Sequence, residues 1–267
     1  MTGLPVQSSR WLSDRGPRWL VPLLVGCALA LLLGLHAQRY WPLTVDDAAI
    51  SFTYARNLAA GHGLVLDPGG EPVEAYSNPL WVVLLALLHL FRLPLEPGAK
   101  LLGLGFAWGS LLLLPVGATL LVRSRSSRVR RPAPGAEGVT ASVSLPLAGA
   151  IPDWWLAVTV VTALLVAGTP RFVLWSVAGL ESGLHGFLLC ALLAVLLFER
   201  ESERAPYGTA LLLLLLLATR PEAPLYWAVV GAAAAIRLLR QLPDQRRAEG
   251  RRLGRALACE HTRSGST

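Results

Sequence analysis

Two adjacent carboxylates, Asp46 and Asp47, stand in the stretch TVDDAAISFTYARNLAAG, directly after a long apolar run. Paired acids at one chain reversal can do two kinds of chemistry. One can act as a general base towards a hydroxyl. The pair can also hold a divalent cation such as Mg or Mn through oxygen ligands and so neutralise a phosphate. Adjacent carboxylates repel one another, an arrangement that suits a base or a shared cation. The plainer reading is a helix start: one acid as N-cap and the other in the first turn, together contributing about 1 kcal/mol. The two residues alone leave both readings open.

Further candidates lie in turns between apolar runs. Glu181 sits in Leu180-Glu181-Ser182, and Arg220 and Glu222 in Arg220-Pro221-Glu222. The planar fork of an arginine matches phosphate oxygens, which makes Arg220 a candidate substrate-binding group; a local ion pair in a wet turn is the alternative. His62, between Gly61 and Gly63, is a candidate base or ligand, or simply a loop histidine. Glu74 and Asn78 precede a second apolar helix, where Asn78 followed by Pro79 is also a normal N-cap and first helical residue. Cys27, Cys190 and Cys259 have neither metal-ligand nor disulfide-framework spacing. The sequence carries no phosphate-cradling glycine loop and no nucleophile elbow.

The elements that must position these groups follow from composition. Of 267 residues 54% are hydrophobic and 15% charged, against about 25% charged in a soluble domain. Runs such as WLVPLLVGCALALLLGLHA and ALLLLLLLA have no polar face to turn to water. The chain therefore reads as an all-α, multi-pass membrane protein. The net charge of +7 comes from arginines beside apolar runs and fits membrane topology. No motif interleaves them with aromatics as nucleic-acid binding requires.

Spans are expected at about 19–38, 99–122, 153–169, 183–198, 206–219 and 222–239. The run 78–91 has about 14 residues and is short for a span. Placing it on the surface puts the N-terminal arginines, the 123–131 arginines, Arg200, Arg204 and the tail all on the cytoplasmic side, as the positive-inside rule asks. The resulting expectation is about six transmembrane helices and a cytoplasmic N-terminus over 1–18. An external loop over 39–98 carries two juxtamembrane surface helices, a cytoplasmic arginine-rich loop covers 123–152, and a basic, disordered tail covers 241–267. The transmembrane domain runs over 19–240. The first surface helix is expected over 47–60 with Gly61 as its left-handed cap; on a helical wheel Asp46, Thr53, Arg56 and Asn57 share its polar side. A hairpin or turn is expected around Pro68-Gly69-Gly70. Tyr76, Trp81, Trp154 and Trp155 fit interfacial aromatic belts. Asp46, Asp47, Glu181, Arg220 and Glu222 all fall on the external side.

The block DDAAISFTYARNLAAGHGLVLDPGGEPVEAYSNPLW, followed by GLES and TRPEA, resembles the multi-pass glycosyltransferases of the C-type membrane fold, and among them the bacterial arabinofuranosyltransferase-like proteins of cell-envelope synthesis. The likeness is dense over 44–81, with short anchors at 179–182 and 219–223. Ala49 stands where that pattern has an aromatic and Thr53 where it has an arginine. Ser182-Gly183 replaces Thr-Pro, and Ala223 replaces a glycine. The resemblance implies transfer of a sugar from a polyprenyl-phosphate donor to an extracytoplasmic glycan or lipid acceptor at the cell membrane. Asp46 or Asp47 would be the base or hold the cation, and Arg220 would stabilise the leaving phosphate. Such enzymes continue through more spans, so this chain is expected to correspond to their N-terminal half. A non-catalytic membrane protein, whether transporter, lipid-handling protein or inactive remnant of such an enzyme, is the alternative.

Overall fold

The computed structural model describes residues 20–70, 73–129, 153–202, 205–236 and 239. The expected cytoplasmic N-terminus, most of the 123–152 loop and the 241–267 tail lie outside these residues. The described residues form nine α-helices and no strand: α1 (Leu20–Gln38), α2 (Asp46–Ala59), α3 (Pro79–Leu90), α4 (Leu95–Val129), α5 (Asp153–Ala167), α6 (Pro170–Val177), α7 (Ser182–Ser202), α8 (Tyr207–Leu217) and α9 (Ala223–Ile236). The chain divides into a unit over Met1–Arg220 and a second over Pro221–Thr267, to which α9 belongs.

Two described helical segments are long and apolar enough to cross a bilayer, Leu95–Ala118 and Ser182–Glu199; the bent pair Ala157–Ala167 and Pro170–Val177 makes a third if it is one span. The expected count of six is not reached among the described residues. One of the expected spans, α8, has 11 residues and extends roughly 16 Å, against a hydrocarbon core of about 30 Å. The surfaces nonetheless suit lipid. Leu31 and Leu211 stand exposed on helices without an Asp, Glu, Lys or Arg, apolar around their circumference as in membrane spans, and Leu101 and Leu165 stand exposed on the apolar stretches of α4 and α5.

The core of the first unit gathers Leu29, Leu33 and Ala37 of α1, one helical stripe, against Leu111 of α4, Ala163 and Ala167 of α5, and Val173 and Val177 of α6. Close backbone approaches join α4 to the end of α6 and the start of α7. A Cβ on Gly103 would lie 2.1 Å from the Ser176 carbonyl oxygen, and one on Gly183 would lie 2.4 Å from that of Gly103. Only glycine permits backbones this near, which fixes the 176–183 segment against α4.

Three boundaries differ from the sequence reading. The helix expected over 99–122 runs on to Val129, so the arginine-rich stretch 123–129 is helical rather than loop. Pro115 does not end it. The span expected over 153–169 stops at Ala167, and α6 leaves it at 63°. Gly168-Thr169-Pro170 explains the break, because proline suits a first helical residue and not an interior. Finally, α2 starts at Asp46, one residue early.

Candidate functional site

The site is built on α2 and α3, which pack against each other; Tyr54 of α2 and Trp81 of α3 are fully buried. Their connection is laced back onto α2 by side chains. The Tyr54 hydroxyl donates to the Val73 carbonyl and accepts from the Ala75 N–H at 3.2 Å. Asn57 Nδ2 donates to the carbonyls of Val65 and Leu66 at 2.8 and 3.0 Å. Asn57 is therefore buried and does not join the solvent-facing side on which the helical wheel placed it. The Tyr76 ring lies against that of Tyr54, centroids 4.7 Å apart and planes tilted by 59°. Burial, then the Glu74 carboxylate and Tyr54, push its phenol above the usual tyrosine pKa. The turn forms as expected: Gly70 N–H reaches the Asp67 carbonyl at 3.1 Å, with Gly69 at φ 91°. Gly61 caps α2 at φ 84°, with its N–H on Leu58 O and that of His62 on Asn57 O.

Asp46 and Asp47 both stand exposed in the first turn of α2. Neither is the N-cap; that position is Val45, and no side chain caps the helix. The capping half of the plainer reading thus fails, while the dipole half stands. The N-terminus is held from outside instead. Val45 N–H donates to the Ala178 carbonyl at 3.2 Å. The Thr44 hydroxyl donates to Glu96 at 2.5 Å, and Glu96 also accepts from Lys100 at 2.8 Å. Lys100, 2% exposed, donates in addition to the Trp41 carbonyl at 2.7 Å. The four-residue spacing of Glu96 and Lys100 on one helix is a visible signal for this pair, which the sequence reading passed over.

Beside this N-terminus lies a buried polar network. Glu181 is 6% exposed. Its Oε2 accepts from Asn78 Nδ2 at 2.7 Å and its Oε1 from Arg220 Nε at 2.8 Å. Asn78 also exchanges hydrogen bonds with the Ser51 hydroxyl at 3.2 and 3.3 Å. Asn78 does hold the N-cap position before Pro79 at the start of α3. Its side chain makes no cap, because Glu181 and Ser51 take it. Two backbone features complete the assembly. Trp81 Nε1 donates to the Gly179 carbonyl at 3.1 Å, so this tryptophan is a buried clasp and not part of an interfacial belt. Leu80 N–H donates to the Ala218 carbonyl at 2.7 Å. Gly179, at φ 88°, lies so close to α2 that an added Cβ would meet Ala48 at 3.0 Å and Phe52 at 3.3 Å. His185 of α7 reaches the Thr219 hydroxyl at 3.2 Å.

The structure thus brings together three of the residues expected to act, Asn78, Glu181 and Arg220, and seats the aspartate-bearing turn of α2 against residues 178–179. His62 and Glu74 are exposed and outside this network. Glu222 belongs to the second unit, where its carbonyl accepts from Leu225 N–H at 3.0 Å. Among the described residues no group of three or more His, Cys, Asp or Glu side chains converges as a metal site. Asp46 and Asp47 supply two exposed carboxylates in one turn, oxygen ligands of the kind a magnesium ion takes. Trp154 and Trp155 have side chains outside the described residues. No family model matches the chain, and no curated protein and no solved structure shows detectable similarity to it.

Proposed function

We propose that the chain is a membrane glycosyltransferase that moves a sugar from a polyprenyl-phosphate donor to an extracytoplasmic glycan or lipid acceptor. One observation carries this reading. The three sequence blocks on which the resemblance rests, 44–81, 179–182 and 219–223, meet at Ser51, Asn78, Glu181 and Arg220 in one hydrogen-bonded cluster, beside the turn that bears Asp46 and Asp47. A chain that used those blocks only as separate loops would have no reason to join them.

In this reading Asp46 or Asp47 accepts the proton of the acceptor hydroxyl. The hydroxyl oxygen forms a bond to the anomeric carbon, and the bond from that carbon to the phosphate oxygen breaks. The electron pair leaves with the polyprenyl phosphate. A divalent cation held by the same two carboxylates would neutralise phosphate charge. Arg220, 36% exposed at its side chain and held through Nε by Glu181, would meet the phosphate with its guanidinium. The donor's prenyl chain stays in the bilayer while its phosphate meets the external turns. Six spans with both termini cytoplasmic and the 39–98 loop outside complete the proposed topology at the cell membrane.

The rival is a non-catalytic membrane protein, favoured by the fact that both Glu181 oxygens are already bonded within the fold. Transfer from a labelled polyprenyl-phosphate sugar separates the two readings. Asp46→Asn and Asp47→Asn are expected to insert normally and lose transfer. Wild-type rates in both variants would sink the assigned role.

A further inference from the structure

The C-terminal ends of α2 and α3 open onto a groove of 450 Å³ lined by Arg56, His89, Arg92, Leu93, Pro94 and Leu95. Three of these six residues are basic and none is acidic. All three are exposed, and among the described residues none of their side chains makes a hydrogen bond or an ion pair. Arg56 and His89 lie in the last turns of their helices, where positive groups complement the dipole. That accounts for these two. It does not account for Arg92, which lies past the end of α3.

Arg92 has φ 59°, and among the described residues it is the only non-glycine at positive φ. It closes α3 as Gly61 closes α2. Arg92 N–H bonds the His89 carbonyl at 2.9 Å, and Leu93 N–H bonds that of Leu88 at 3.1 Å. In α2 the equivalent position is glycine, the residue this conformation favours. In α3 the same geometry carries a long cation, against backbone preference, and directs it into a groove already lined by Arg56 and His89. A disfavoured backbone conformation kept at such a place points to use of the side chain.

The rim supplies the second half of the argument. Leu87, Leu90, Phe91 and Leu93 are exposed, Phe91 to 77%, on the apolar helix α3 and the turn after it. Cations in a groove beside exposed leucines and a phenylalanine match the boundary between lipid headgroups and acyl chains. We propose that this groove binds the phosphate of an anionic glycerophospholipid headgroup, with Arg56 and Arg92 as its principal ligands and His89 beside them. Asp46 lies ten residues from Arg56 along α2, about 15 Å at the helical rise, so this is a site distinct from the proposed transfer centre. The inference rests on the membrane character of the chain and not on the transferase reading.

Native mass spectrometry of the detergent-solubilised full chain tests this, with phosphatidylglycerol and phosphatidylcholine offered in equal amounts. Wild type is expected to retain phosphatidylglycerol preferentially. Arg56→Gln with Arg92→Gly should lose that preference, each arginine contributing roughly fivefold. Glycine is chosen at 92 because the backbone favours it there, so misfolding is no excuse for a loss. Arg56→Lys should keep a reduced preference. Binding of inorganic phosphate, followed by phosphorus NMR, forms the second arm. Saturable phosphate binding without lipid preference would make the ligand a soluble phosphate and overturn the lipid assignment. An unchanged lipid preference in the double variant would overturn the site itself.

Discussion

Arg220 Nε donates to Glu181 Oε1 at 2.8 Å, while the other oxygen of that buried carboxylate is held by Asn78. Glu181 thereby joins the start of α3, the start of α7 and the turn after α8 through one side chain. Removing it takes away one acceptor of Asn78 Nδ2 and the acceptor of Arg220 Nε. Glu181→Ala is expected to cost roughly 2 kcal/mol, below the value for a fully buried pair because Arg220 is partly solvated. Glu181→Gln, which keeps the shape, should cost less. Thermal unfolding in detergent checks the order, and a double-mutant cycle with Asn78→Ala should show the two residues as coupled.

Gly179 and Gly61 both hold left-handed backbone, but only Gly179 faces packed atoms; nothing lies within 4 Å of a Cβ at Gly61. Gly61→Ala should therefore cost only the backbone penalty of about 1–2 kcal/mol. Gly179→Ala should cost more, because Ala48 and Phe52 must move. The difference between the two unfolding midpoints measures that collision. Equal midpoints would mean the turn can withdraw from α2.

Asp46 and Asp47 separate stability from chemistry. Both are exposed, and neither caps the helix through its side chain. Asp→Asn at either position is expected to change stability by less than about 1 kcal/mol, the dipole contribution. A loss of transfer with an unchanged melting curve would then be a direct effect on the reaction.

Topology is open to cysteine labelling in a background lacking the three native cysteines. A cysteine at Ser77 should react with an impermeant reagent in intact cells. One at Ser126 should react only after permeabilisation. The opposite pattern would invert the proposed six-span arrangement.

Much of this was legible in the sequence, and what was not has identifiable causes. Continuous apolar runs marked the membrane helices, and Gly61 and Pro68-Gly69-Gly70 marked a cap and a turn, because these are local backbone preferences. Asn78 was legible as an N-cap position, but its side chain is claimed by Glu181, 103 positions away. Trp81 has the composition of an interfacial aromatic and is instead buried by the Gly179 carbonyl it bonds. The bend before α6 was written in Gly168-Thr169-Pro170 and hidden by apolar residues on both sides. Tertiary partners, which no local pattern encodes, decided the cases of Asn78 and Trp81.

Arg92→Gly should stabilise the fold by about 1 kcal/mol, since glycine pays no left-handed penalty, while the same change lowers phosphatidylglycerol retention. Opposite signs in the two measurements are the expected signature of a residue kept for its side chain at the expense of its backbone. A destabilised Arg92→Gly variant would show instead that the arginine packs.

The partners of Asn78 have a consequence for biogenesis. Chains emerge N-terminus first at about 5–20 residues per second, and 142 positions separate Asn78 from Arg220. The helix bearing the two aspartates is thus made on the order of ten seconds before the glutamate and arginine that close its surroundings. During that interval Asn78 has Ser51, and the place of Glu181 must be taken by water or by another protein. A holding factor for the early helices, released when the turn at Arg220 arrives, would act in that window.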